Sequence, residues 1–263
     1  MIGVQRWRER RDSYRPAGER IRPELFDVAP ISSDLVARAF VQEHHYSGTY
    51  PAARFRVGLY RGGELVGVAV FSHPCSNRVL TNVFTSTPAL EAVELGRFVL
   101  LDEVPGNGET WFLARAFDLL RAEGIRGVVS FSDPTPRTNA AGRVIFPGHV
   151  GTIYQAHNAR FLGRGDARTL KLLPDGRVFS NRAEQKIRAG SRGWRYASDQ
   201  LVAHGAGVLE EGADREARLA WLERWTGALT RPLRHPGNLR YAWPLRKSVA
   251  LATGTPYPKR QAA

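Results

Sequence analysis

The chain has one cysteine, Cys75, among 263 residues. That excludes an intramolecular disulfide and any metal site built from several thiolates of one chain. No run of 18 uncharged apolar residues occurs, so no membrane-spanning helix is expected. The opening MIGVQRWRERRDSYRP is basic but has no apolar stretch behind it, which does not match a secretory leader. A reducing, cytoplasmic setting with no membrane partner is the expectation. The hydrophobic content of 43% is ample for a packed core and argues against wholesale disorder.

Lysine and acid are also scarce. Four of the 38 basic residues are lysines (171, 186, 247 and 259) and 34 are arginines. Arginine's planar fork suits bidentate contacts with phosphate and guanine. GC-rich coding explains the arginine preference equally well, but not a formal net charge of +13. Such an excess draws polyanions, nucleic acid above all. The charge is uneven: residues 180–263 carry 15 basic and 7 acidic residues, and no Asp or Glu occurs from Trp225 onward. There RPLRHPGNLRYAWPLRK interleaves arginines with His235, Tyr241 and Trp243. That pattern suits a surface that tracks a nucleic-acid backbone with stacking platforms, or a solvated tail. A second basic cluster runs from Arg6 to Arg22 and is expected to be flexible.

Between these ends the pattern is mixed α/β. FRVGLYRGGELVGVAVFS (55–72) reads as a hairpin turning on RGG. VELGRFVLLDEVP (93–105) reads as a strand running into a loop. TWFLARAFDLLRAEG (110–124) reads as a helix with Thr110 as cap and Gly124 as stop. GIRGVVSFSDP (124–134) is a buried strand halted by Asp-Pro. TLKLLPDGRVFS (169–180) turns on Pro-Asp-Gly, and SNRAEQKIRAG (180–190) begins a helix capped by Ser180. The predicted organisation is a basic N-terminal segment (1–24), a catalytic domain (25–180) and a basic helical or irregular C-terminal extension (181–263).

Five residues stand out for chemistry. Tyr154 lies on a very short helix in GTIYQAHNARFLG (151–163), where packing and proton donation are both open to it. Asp133 follows VVSFS at the carboxyl end of a strand, the usual ligand side of an open α/β sheet, although a loop cap has the same signature. Arg97 is mid-strand beside Phe98 and Val99, and a buried arginine needs a carboxylate, such as Asp133 or Glu94, or a bound anion. His45 and Tyr46 sit in HHYSG at a helix end. Gly106, Asn107, Gly108 and Thr110 surround a helix start, where orphan N–H groups and the helix dipole favour an anion. His149, in PGHVG, belongs to a glycine-bracketed loop able to cover a base.

The element order resembles the core of the GNAT N-acetyltransferase superfamily. The resemblance implies a GNAT-like mixed central sheet flanked by helices, with an acyl-coenzyme A pyrophosphate held by the amides of residues 106–110. It also makes Tyr154 the proton donor to the leaving group. The turn departs from the superfamily's Q/R-x-x-G-x-G/A pattern, and Glu109 places a negative charge there. More narrowly, HHYSG, ELGRF, VVSFSDP and GTIYQAHNARFLG together resemble the Mom-type phage DNA modification proteins, across roughly residues 25–180. That resemblance implies transfer of a small acyl-derived, carbamoylmethyl-like group to adenine N6 in double-stranded DNA, protecting it from host restriction. It implies His45, Tyr46, Arg97, Asp133 and Tyr154 as the site, with iron at His45, Tyr46 and Asp133. The alternatives are an acyl-coenzyme A N-acetyltransferase acting on protein or a small amine, and a non-catalytic nucleic-acid binder.

Overall fold

The computed structural model describes residues 19–258 and the backbone of a hairpin, β1 (Val4–Arg8) and β2 (Arg11–Arg15). The side chains of most of the basic N-terminal cluster, and Lys259 and Arg260, lie outside the described residues. The chain then forms β3 (Phe26–Pro30), α1 (Asp34–His44), β4 (Ala53–Arg61), β5 (Glu64–Ser72), α2 (Arg78–Thr81) and β6 (Ala92–Leu100). There follow α3 (Gly108–Ala122), β7 (Gly127–Ser132), β8 (Arg137–Thr138), β9 (Val144–Phe146), α4 (Thr152–Ala156), β10 (Arg160–Arg164), β11 (Arg168–Leu172) and β12 (Val178–Phe179). The last elements are α5 (Asn181–Ala189), α6 (Trp194–Val202), α7 (Arg215–Leu229), β13 (Arg231–His235) and β14 (Leu239–Pro244). Among the described residues no helix is long and apolar enough to cross a membrane.

The chain divides into two compact units. The first holds residues 1–134, 148–165 and 238–263; the second holds 135–147 and 166–237. This is not the division expected at residue 180. Charge marks residues 181–263 as an extension, but β14 from that stretch is an interior strand of the first unit's sheet.

That sheet has seven strands in the order β10-β14-β7-β6-β5-β4-β3. Only the β6–β7 pair is parallel, joined through α3 as a parallel pair requires. Strand residues alternate between the two faces, so neighbours in sequence enter different cores. Ala69 and Phe71 of β5, Val128 of β7, and Tyr241 and Trp243 of β14 meet α3 through Phe112, Leu113, Ala116, Phe117 and Leu120. Val68 and Val70 meet α1 through Ala37, Phe40 and Val41. Val129 and Ala242 pack with Leu80 at α2. The result is a mixed central sheet with helices on both faces, the mixed α/β arrangement expected.

Two irregularities of β6 open a site in this sheet. The strand pairs with β7 only from Ala92↔Gly127 to Leu95↔Ser130, then runs on to Leu100 without that neighbour. The two strands thus part at Leu95 and Ser130 and leave a wedge in the sheet. On its other side, β6 carries a bulge against β5, where Val70↔Arg97 and Phe71↔Leu95 leave Gly96 as the extra residue. A bulge bends its strand and re-aims the side chains beside it.

The second unit has a three-stranded sheet, β12-β11-β13, and a small core of Leu173, Phe179, Ile187, Leu201 and Leu222 beneath Trp194, Trp221 and Trp225. The Pro-Asp-Gly turn and the Ser180 cap are where the sequence puts them, and Ser180 Oγ accepts the Ala183 N–H at 3.1 Å. The α3 helix starts earlier than its apolar pattern suggests: Asn107 is its N-cap, and Thr110 lies inside the first turn rather than capping it. The aromatics of RPLRHPGNLRYAWPLRK are not stacking platforms. His235 and Tyr241 are 0% exposed and Trp243 is 4% exposed, because β13 and β14 are structural strands of their respective units.

Candidate active site

Arg97 follows the bulged glycine and lies in the stretch of β6 that β7 no longer covers. Its Nε donates to the Thr49 carbonyl at 2.8 Å, one terminal nitrogen donates to Thr49 Oγ1 at 2.6 Å, and the other donates to the Gly96 carbonyl. Among the described residues it forms no ion pair. The carboxylate expected at hydrogen-bond range is therefore absent, and neutral oxygens orient the guanidinium instead. Glu94, Tyr46 and Tyr154 are close enough to favour its charge, although burial pulls its pKa down from the usual arginine value. Burial also pushes the Glu94 carboxyl up, against the opposing pull of Arg97.

Gly96 is required where it stands. A Cβ there would lie 2.7 Å from Ser72 Oγ and 3.2 Å from Pro51 Cγ.

Tyr154 reaches the same place from α4. That helix has five residues, too few to persist alone, and tertiary contacts hold it. The Tyr154 ring packs edge-on against Trp243 and Tyr241, with centroids 5.4 and 5.5 Å away. Tyr241 Oη donates to the Val150 carbonyl, Gln155 Nε2 donates to Tyr241 Oη at 3.0 Å, and Trp243 Nε1 donates to the His157 carbonyl at 3.0 Å. The aromatics of β14 are thus the mount for the helix that carries Tyr154. Gly151 opens that helix at φ 75°, where a Cβ would meet Tyr241 at 2.7 Å and Tyr154 at 3.0 Å.

Burial raises the Tyr154 pKa, with Ser130 as hydrogen-bond partner and Arg97 pulling the other way, so the phenol is protonated at neutral pH. Ser130 Oγ itself donates to the Leu95 carbonyl at 3.0 Å, at the last paired residue before the wedge.

His45 caps α1 and is buried. A string of rings runs from it toward Tyr154: His45 to Tyr46 at 4.2 Å, Tyr46 to His149 at 5.9 Å, and His149 to Tyr154 at 6.5 Å. The His149 N–H donates to the Asp133 carbonyl at 2.8 Å, which ties the glycine-bracketed loop to the end of β7. The structure thus gathers His45, Tyr46, Arg97 and Tyr154 around the parted strands, with the Asp133 backbone at the end of β7 beside the His149 loop. Three further participants, Thr49, Ser130 and His149, join them. Thr49 and Ser130 carry no local signal, because their partners are 48 and 35 residues away in sequence.

The expected iron set does not fit these residues. Ser47 N–H donates to His45 Nδ1 at 3.2 Å, and Ser47 Oγ lies 2.9 Å from the same nitrogen. The lone pair is therefore on Nδ1, already engaged, and the ring proton is on Nε2. Burial, with Arg97 and His149 acting the same way, holds the His45 pKa well below its usual value, which keeps the ring in that neutral form. Among the described residues no group of three or more His, Cys, Asp or Glu side chains is placed to hold a metal ion.

The four cofactor-binding candidates stand at the start of α3. Gly106 N–H donates to Glu19 Oε2 at 2.9 Å, Gly108 N–H donates to the Pro105 carbonyl at 2.9 Å, and Asn107 Oδ1 accepts the Ile21 N–H. Thr110 Oγ1 donates to the Asn107 carbonyl at 3.2 Å, and Glu109 is only 3% exposed in the same turn. A carboxylate already holds the place where a pyrophosphate would dock, with a second one buried beside it. The turn as folded does not fit coenzyme A.

A parallel pair that parts around a buried tyrosine and an arginine, with a crossover helix between its strands, lies at the centre of a mixed α/β sheet. Solved structures similar to the chain include a Bacillus subtilis acetyltransferase in complex with CoA, at 9% identity and TM-score 0.35, covering 86% of this chain and 99% of that one. Another is a tandem GNAT protein from the clavulanic acid biosynthesis pathway, at 10% identity and TM-score 0.43, covering 85% and 99%. The chain belongs to the Mom protein family, which matches residues 25–259. It is 27% identical over 175 residues to "Methylcarbamoylase mom" of Escherichia phage Mu, covering 64% of this chain and 67% of that protein.

Proposed function

We propose that the protein transfers a small acyl-derived group to the N6 amine of adenine in double-stranded DNA, shielding the DNA from host restriction. The observation that carries the reading is the convergence of Arg97 and the protonated Tyr154 on the wedge between β6 and β7, in a chain of the Mom family. An amine inside a duplex is paired and stacked, so the adenine must be flipped into the site. The basic surface supplies phosphate contacts that hold the duplex.

In this reading an activated acyl or carbamoyl donor places its carbonyl oxygen near Arg97. The guanidinium, held by Thr49 and Gly96, stabilises the negative charge that develops on that oxygen. The adenine N6 attacks the carbonyl carbon, and the N6–C bond forms. As the bond to the leaving group breaks, Tyr154 gives that group its proton, and the proton lost by N6 passes to Asp133. His45 and Tyr46 wall the site and position Arg97 through its surroundings. His149 covers the flipped base from its loop.

Sequence resemblance suggests a carbamoylmethyl group, whereas the name of the phage Mu relative specifies methylcarbamoyl for that protein. The two are isomers of equal mass, and methylcarbamoyl is the one that acyl transfer at a carbonyl delivers directly.

The test is nucleoside mass spectrometry of plasmid DNA from cells that express the protein. A heavier deoxyadenosine, absent with Arg97→Ala, is expected, and fragmentation distinguishes the isomers. Unmodified DNA from cells rich in folded protein would refute the proposal.

A further inference from the structure

The second unit contains an arrangement that the chemistry of the wedge does not use. The α5 helix ends at Gly190, in the left-handed region at φ 59°, and Ser191 N–H closes the end on the Lys186 carbonyl at 3.1 Å. Four residues, Gly190 to Gly193, make the turn, and Gly193, at φ 88°, opens α6. Ala183 and Ile187 on α5, Ala197 and Leu201 on α6, and Leu222 on α7 bury the inner faces together. This is the plan of a helix–turn–helix: two short helices, a four-residue turn with glycine and a third helix behind them.

The outer face of α6 lacks a partner, among the described residues, that would explain it. Arg195, Tyr196 and Asp199 occupy one stripe, opposite Ala197 and Leu201, and Tyr196 is 66% exposed. Among the described residues the Arg195 guanidinium lies over the Trp194 ring, 5.7 Å from its centroid, and pairs with an exposed Glu211, and an ion pair in water is weak. Arg192, in the turn, is exposed and makes no ion pair among the described residues. Over residues 181–200 the basic residues number five and the acidic ones two, and one of those two, Glu184, is buried between Lys171 and Arg188.

We infer that α5 and α6 form a DNA-docking helix–turn–helix, with the first turns of α6 reading base edges in the major groove. The choice of DNA as occupant rests on the proposed action on adenine. Arg195 at the N-terminal end of α6 suits guanine O6 and N7, and Asp199 one turn later suits the cytosine amine. Arg192 suits a flanking phosphate. The occupant is duplex DNA rather than RNA, because the A-form major groove is too deep and narrow to admit a helix. The sequence context of modification is then set by this unit and not by the site around Arg97.

The experiment uses the purified full-length protein and a random duplex pool from which the wild type selects its preferred sequence. Arg192→Ala should weaken binding to all duplexes alike and lower the slope of log affinity against log salt by about one. Arg195→Ala should lose about tenfold or more on the preferred sequence, bind other duplexes nearly as before, and no longer shield a guanine N7 from dimethyl sulfate. Both residues are exposed, so thermal melts should match the wild type and exclude misfolding. Wild-type affinity, salt slope and guanine protection in both variants would overturn the inference. If plasmid adenine is unmodified while the groove footprint holds, the chemistry falls and the docking stands. If adenine is modified with unchanged context in both variants, the docking alone falls.

Discussion

Replacing Tyr154 with Phe separates the chemistry of the site from its architecture. The change removes one oxygen and leaves the ring. The edge-on contacts with Trp243 and Tyr241 persist, so the β14 mount of α4 is intact. The loss is the hydroxyl's polar contact with Ser130, worth at most about 0.5–1.5 kcal/mol. Ser130 Oγ keeps its bond to the Leu95 carbonyl and is not left orphaned. In a protein of this size that predicts a fall in Tm of only about 1–6 °C. The catalytic effect should be far larger: removing a positioned proton donor costs about 10²–10⁴ in rate. The assay is the fraction of modified deoxyadenosine in plasmid DNA at limiting expression, beside thermal melts of the two purified proteins. Undiminished modification by Tyr154→Phe would refute the proton-donor role. A Tm lower by ten degrees or more would show instead that the hydroxyl is a structural strut.

Gly151→Ala forces a side chain into the left-handed region and against Tyr241 and Tyr154, so it should destabilise by about 2–4 kcal/mol. Urea unfolding should show this, and modification should fall with it as Tyr154 is displaced. His45 and His157 both have folded-state pKa values depressed by burial, so the unfolded chain takes up protons first as pH falls below about 6.5. Their contribution to stability is therefore full above that pH and is lost toward the lower folded values. Urea midpoints between pH 7.5 and 5.5 should decline, and His45→Asn should flatten the decline; a pH-independent midpoint in the wild type would contradict this. Deleting residues 238–263 removes β14 from between β10 and β7, so the product should be insoluble or lack a cooperative melt. A folded truncation that merely binds DNA less tightly would restore the idea of a separable tail.

Much of the site is legible in the sequence because it follows local rules. Asp-Pro halts β7, HHYSG ends α1, and GTIYQA is a turn-and-a-half of helix after a left-handed glycine. Apolar runs set the hairpin β4–β5 and the parallel strands, and family-like motifs in the right order mark the residues that converge. The aromatic stretch near the C-terminus misleads for an equally physical reason. Arginine alternating with Tyr241 and Trp243 is the pattern of a nucleic-acid platform, but it is also the pattern of a strand with one buried face. Period two cannot tell stacking on a base from stacking on Tyr154.

What the sequence determined by itself is therefore the set of elements, the excess of positive charge and the short list of reactive side chains. Those depend on neighbours three or four residues apart, on turn chemistry and on composition. Only the tertiary structure decided that Thr49 orients Arg97, that a bulge at Gly96 re-aims it, and that Glu19 already holds the amide of Gly106. It also decided that β14, from the basic C-terminal stretch, returns to complete the sheet. Each of these is a contact across scores of residues, and its energy exists only once the sheet has brought the partners together.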